Sequence, residues 1–249
     1  VTRPSILPFA IVLCMTVLAF AQTAPDPNAL LDLPVEAPVY GTAPPPAPGE
    51  QGQPDEEDPR DEPPPVIYGE EIDSETDSIY YVLDISGSMY SDPQSFIDLD
   101  GSRQIGDRID RAKCELIRSI QGLSQNFSFN VIAYDCGMLR WSEAMQEATA
   151  GNKAAATIWV ISLWPGGATG TGPATALALA DKENKSVVLL TDGAPNCGAN
   201  DIEGHRSMIR IHNTQRATIN VFGIAASGSY RMFCQNVASD SGGSYFDVP

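Results

Sequence analysis

Two apolar runs in this chain stop abruptly at carboxylates, and that pattern narrows the choice of fold before anything else is considered. The first, Ile79-Tyr80-Tyr81-Val82-Leu83, ends at Asp84 and continues as Ile85-Ser86-Gly87-Ser88. The other, S-V-V-L-L-T over 186–191, ends at Asp192-Gly193. A short run that is apolar throughout, rather than at alternate positions, reads as a strand covered on both faces, as in a parallel sheet. Open parallel sheets bind ligands just beyond the carboxyl ends of their strands, where both aspartates fall. One carboxylate and two hydroxyls at alternate positions of a tight turn form a hard, oxygen-only surface suited to Mg²⁺. Taken alone, Ser86 and Ser88 would more simply cap a following helix, so the weight rests on what recurs downstream.

Strand and helix signals alternate from there. Ile109, Ala112, Leu116, Ile120 and Leu123 recur at three- and four-residue spacing and predict an amphipathic helix ending near Gly122. Phe127–Tyr134 reads as a strand, Leu139–Trp141 as a short one, and 142–149 and 152–162 as helical stretches. Further on, 202–216 has helical character, Ile219–Ile224 reads as a buried strand, Tyr230–Ala238 as a helix and Ser244–Phe246 as a last short strand. This order predicts an α/β fold, doubly wound, with a mostly parallel central sheet and helices on both faces. The stretch 90–106 reads as a polar loop. Its Asp92, Asp98 and Asp100 lack the remaining ligands of a calcium loop and are expected to be solvated.

Pro165–Leu177 (P-G-G-A-T-G-T-G-P-A-T-A-L) brings glycines that permit tight turns and close backbone approach. Pro173 can open a helix, and two hydroxyls, Thr169 and Thr171, stand between the glycines. The loop lacks the Gly-Lys-Ser/Thr ending of a phosphate cradle. Asp84-Ile85-Ser86-Gly87-Ser88, a threonine in a Gly-Gly-x-Thr loop some eighty residues later, and Thr191-Asp192-Gly193 after a later strand follow one another in order. Together they resemble the von Willebrand factor type A domain and its metal-ion-dependent adhesion site, over roughly residues 78–247 of the domain at 78–249. The resemblance implies a shell of Asp84, Ser86, Ser88, Thr169 and Asp192 around one divalent ion, Mg²⁺ with Mn²⁺ or Ca²⁺ as substitutes. Thr171 is the alternative to Thr169, because Ala168 stretches the usual Gly-Gly-Thr. The resemblance further implies a protein ligand that presents a carboxylate to the ion. In two respects the sequence departs from the family: the long 90–106 segment, expected to shape partner choice, and an expected lack of the helix that usually follows the last strand.

Charge and composition fix what surrounds this domain. Residues 1–21 carry Arg3, an apolar core from Ile6 to Phe20 and Ala19-Phe20-Ala21, the pattern of a secretory signal peptide. An uncleaved anchor, the one route to a membrane, is the alternative. Residues 22–77 hold thirteen of the twenty prolines, and 25–77 hold fifteen acids against Arg60 alone, a net of −14. Such a segment predicts a disordered, Pro-rich acidic linker. Residues 78–249 hold seventeen acids and thirteen bases, a net of −4, without the basic stripe that nucleic acid requires. Cys114, Cys136, Cys197 and Cys234 allow three disulfide connectivities in an exported chain; the order of elements favours Cys114–Cys136 and Cys197–Cys234, against buried free thiols. No G-x-S-x-G frame or histidine triad is present, so the chain is expected not to be an enzyme. The expected function is a secreted or cell-envelope, cation-dependent protein-binding module. The alternative is a structural envelope protein whose metal only stabilises it, with a hydrolase less favoured.

Overall fold

A computed structural model of the chain describes residues 63–193 and 195–249. The secretory-signal expectation and residues 22–62 of the linker lie outside the described residues. Residues 78–84 form the central strand because each of its apolar side chains finds cover. Odd positions such as Tyr81 and Leu83 face one layer of helices, and Tyr80 and Val82 face the other.

Eleven strands and five α-helices follow one another among the described residues. The main sheet contains β3 (Ser78–Asp84), β6 (Ser128–Tyr134), β9 (Ser186–Thr191), β10 (Thr218–Ile224) and β11 (Tyr245–Val248), in the order β11-β10-β9-β3-β6, all parallel. Two short antiparallel strands, β7 (Met138–Arg140) and β8 (Gln146–Glu147), extend it beside β6. Helices α1 (Arg108–Gly122) and α2 (Ala150–Ser162) contribute to the core on one face. Helices α3 (Thr171–Ala178), α4 (Ile202–His212) and α5 (Gly228–Ser241) contribute to the core on the other. This is the expected doubly wound, mostly parallel sheet with helices on both faces. The chain leaves β3 for β6 on one side and later returns to β9 on the other. The crevice between the ends of β3 and β9 is therefore the switch point at which such sheets take ligands.

Three sequence expectations need correction. Residues 63–77, placed in the linker by composition, include a small antiparallel pair, β1 (Val66–Ile67) with β2 (Glu70–Glu71). Ile67 and Ile72 there are buried in the α1/α2-side core, and Tyr68 stacks on Phe222. Two isoleucines and a tyrosine suffice to anchor a stretch whose average composition is polar. The 90–106 loop is likewise a hairpin, β4 (Gln94–Ile97) with β5 (Arg103–Gly106). Most of its side chains on both faces are partly or fully exposed, so no apolar alternation marks it. Helix does not extend over 142–149: Asn130 donates from Nδ2 to the carbonyls of Ser142 (2.9 Å) and Ala144 (3.1 Å) and holds that stretch extended beside β6. Helix α2 begins only where Thr149 Oγ1 accepts the Asn152 N–H, an N-cap contact. Among the described residues, no helix is long and apolar enough to cross a membrane.

Candidate metal centre

Asp84 closes β3 with its carboxylate fully buried. Oδ1 accepts the Ser86 backbone N–H at 2.8 Å, and Oδ2 accepts the Thr191 hydroxyl at 2.6 Å. The Tyr134 hydroxyl, from the end of β6, lies 3.3 Å from Oδ2 and 3.2 Å from Thr171 Oγ1. The two strands that flank β3, and the turn that follows it, thus aim polar groups at one carboxylate. Burial, and then the neighbouring charge of Asp192, push the Asp84 carboxyl up to about 6, against the opposing pull of the Ser86 and Thr191 hydrogen bonds. An acid held in this way has electrostatic free energy to release when a cation approaches.

The turn after β3 is a single turn of 3₁₀ helix over Gly87–Met89. It leaves Ser86 buried and Ser88 exposed, with their hydroxyl oxygens 3.2 Å apart. Asp192, immediately beyond β9, is 5% exposed. Its Oδ2 accepts from Arg108 Nη1 at 3.2 Å, while its Oδ1 is buried without a hydrogen-bond partner. Gly193 must be glycine: its φ is +79°, and an added Cβ would lie 2.8 Å from both Cys234 Sγ and the Tyr230 carbonyl oxygen.

The loop that carries Thr169 packs against the serine turn from a third segment. Gly87 donates its N–H to the Gly167 carbonyl (3.1 Å) and Gly166 to that of Ile85 (2.8 Å), which lays the glycine loop against the serine turn. The Thr169 backbone is clamped further. Its N–H donates to Asn196 Oδ1 at 2.8 Å, and its carbonyl accepts the N–H groups of Asn196 and Cys197. The close approach expected of the glycines is to the protein itself, since a Cβ on Gly167 would meet the Asp135 carboxylate at 2.5 Å. Asp84, Ser86, Ser88 and Asp192 therefore converge, Thr169 sits on the loop packed against them, and Thr171 is linked to Asp84 through Tyr134.

Sequence reasoning gave Tyr134, Thr191, Arg108 and Cys234 no role at this site. The last is a buried thiol pushed up to about 12 by burial and then by the charges of Asp192 and Asp84. The first two could have been read as the polar residues that close otherwise apolar strands; Arg108 carries no such signal. The expected disulfides are corrected as well. Cys136 and Cys197 are joined, with Cα atoms 5.8 Å apart, and Cys114 and Cys234 are buried free thiols. Cys136 and Cys197 both lie in loops leaving the carboxyl ends of strands. Cys114 sits in α1 beneath the β4–β5 hairpin, its Sγ 3.4 Å from the Ile97 carbonyl, and Cys234 belongs to the core on the opposite face.

No family model matches the chain. It is 32% identical over 102 residues, 41% of its length, to human von Willebrand factor A domain-containing protein 3B, of which it spans 8%. Among solved structures it is similar to a von Willebrand factor type A protein from Catenulispora acidiphila, with a TM-score of 0.54 and 19% identity over 70% of this chain and 39% of that one. It is also similar to the pilus adhesin SpaC from Lactobacillus rhamnosus GG in its open conformation, with a TM-score of 0.53 and 16% identity over 69% of this chain and 28% of that one. Strand order, the crevice at the switch point and these likenesses agree: the chain has the von Willebrand factor type A fold.

Proposed function

We propose that the domain is a divalent-cation-dependent protein-binding module of an exported protein, and that the crevice between β3 and β9 is its metal-ion-dependent adhesion site. The observation that carries this reading is the Asp192 carboxylate, buried with one oxygen unpartnered, beside a second buried carboxylate whose ionisation is suppressed. Two buried acids that share one partial counter-charge, the Arg108 guanidinium on Asp192 Oδ2, are costly, and the hydroxyls of Ser86 and Ser88 add neutral oxygens of the type Mg²⁺ accepts. Asp84, Ser86, Ser88, Thr169 and Asp192 would hold the ion. Bound Mg²⁺ or Mn²⁺ supplies an electrophilic position that a carboxylate of a protein partner can fill.

The residues around the crevice suit recognition. Ser88 and Gly87 lie exposed at its lip, and Tyr90 (67% exposed) and Trp164 (83% exposed) stand in the flanking loops. Large exposed aromatics beside a polar anchor are the residues that most often dominate interface energetics. Neither histidine supports a catalytic reading: His205 Nδ1 accepts the Gly172 N–H, and His212 Nδ1 lies against the Met208 carbonyl. The Cys136–Cys197 bridge supports export into an oxidising compartment. An adhesin among the similar structures supports a binding role for this chain.

Titration calorimetry of the full chain with Mg²⁺ and Mn²⁺ tests the site: saturable binding, lost in Asp84→Ala, is expected, and heat-free titration of the wild type overturns it. Capture of cell-surface proteins with and without chelator tests the bridge. Cation binding with chelator-insensitive capture would leave a stabilising metal in an envelope protein as the better account.

A further inference from the structure

Arg108 is the first residue of α1, yet its side chain is spent on the ends of two other segments. Nη1 lies 3.2 Å from Asp192 Oδ2 and 3.5 Å from the Ser88 carbonyl oxygen, and Nε lies 3.7 Å from Asp92 Oδ2. We propose that Arg108 is a positioning residue of the crevice, which fixes the Asp192 carboxylate through one oxygen and so dedicates the other to the cation. The proposal rests on the function proposed above and deepens it.

A guanidinium beside a metal-binding acid can act in two opposed ways. As a competitor it would engage both carboxylate oxygens in the two-pronged geometry that Arg favours, and its removal would tighten cation binding. Here it engages only Oδ2, and Oδ1 stays buried and unpartnered. Its Nε lies on the Asp92 side, 3.7 Å from Oδ2 as an ion pair without a hydrogen bond. That residue is itself held: Gln94 Nε2 donates to its Oδ2 at 3.0 Å, Arg111 Nη1 donates to its carbonyl at 2.8 Å, and Arg111 Nη2 lies 3.6 Å from Oδ2. Arg108 is thus a strut between two anchored points, the base of the β4–β5 hairpin and the end of β9. Outer-shell groups that orient a ligand carry much of a site's affinity, and their loss costs roughly 10–100-fold.

The test is calorimetric titration of the full chain with Mg²⁺ and Mn²⁺, with unfolding in chelator followed in parallel. Arg108→Gln should weaken cation binding roughly 10–100-fold without changing the circular dichroism spectrum. Arg108→Lys, which keeps a charge able to reach Oδ2, should recover part of that loss. Asp92→Asn, which leaves Arg108 in place but removes its charged second anchor, should weaken binding several-fold. Unchanged or tighter binding by Arg108→Gln overturns the proposal, because the guanidinium is then a spectator or a competitor. Equal weakening in the Gln and Lys variants, with the spectrum altered in both, also overturns it in favour of a general structural role. A wild-type chain that binds neither ion removes the proposed function first and this role with it, an outcome distinct from a wild type that binds and an Arg108→Gln variant that binds equally well.

Discussion

Two acidic regions follow β3 and behave in opposite ways. In the β4–β5 hairpin, Asp98 is half-buried and Asp100 exposed, and both serve their own turn: Asp98 Oδ1 accepts the Leu99 N–H, and Asp100 Oδ1 accepts that of Ser102. The Ser102 hydrogen bonds hold the Asp100 carboxyl below its usual range. In the β3–β9 crevice, Asp84 and Asp192 are buried; the carboxyl of the first is pushed up to about 6, and the second keeps an oxygen without a partner. Density of acids does not make a cation site. The proposed site differs in burial with incomplete satisfaction, which a bound cation can relieve and water cannot.

The sharpest way to break this contrast is through the cysteines that each region holds. Cutting the Cys136–Cys197 bridge, which closes a span of 61 residues, should cost about 4 kcal/mol of unfolding free energy by loop-closure entropy. Cys114→Ser, beneath the hairpin, should cost less than about 2 kcal/mol. Chemical denaturation of the two variants checks both.

The next effect is on pH. The folded Asp84 carboxyl titrates near 6 rather than at its ordinary 3.8, so this group favours folding while it is protonated. In chelator, its stabilising contribution is full below about pH 4 and is lost as pH rises through about 6, a fall of at most about 3 kcal/mol. Asp84→Asn should flatten that slope, whereas Asp98→Asn with Asp100→Asn should leave it unchanged. Denaturant midpoints followed from roughly pH 4 to roughly pH 8, a range that brackets both the ordinary and the raised carboxyl values, read this directly.

In cation titrations, Asp192→Ala should weaken Mg²⁺ binding by about 100-fold or more, since it removes one of the two charged ligands of the proposed site. The Asp98/Asp100 double variant should bind like the wild type. The smallest effect concerns the loop that carries Thr169. Asn196→Ala removes the acceptor of the Thr169 N–H and should cost about 1–2 kcal/mol of stability in thermal unfolding.

Much of the crevice was legible because each expected ligand stands just past an apolar run or within a glycine-rich turn. Asp84 and Asp192 follow uninterrupted strands, and local order alone places both on the same rim once the strands are parallel. Thr169 was legible only through its glycines. Arg108 was not, because its partner lies 84 residues away and α1 would form equally well with any polar residue at that position. The β4–β5 hairpin escaped notice for want of a buried face, and the 66–72 stretch because two buried isoleucines were averaged away by the prolines and acids around them. The cysteine pairing required knowing which loops share a rim, information carried by strand order rather than by spacing.

Strand order also gives the disulfide a mechanical meaning. β3 lies between β9 and β6, and Cys197 and Cys136 follow those two flanking strands, so the bond acts as a covalent strap across the end of the strand that bears Asp84. Tension applied at that rim would pass into both flanking strands together rather than peel one loop from the sheet. Reduction would release the strap and leave the load on hydrogen bonds alone.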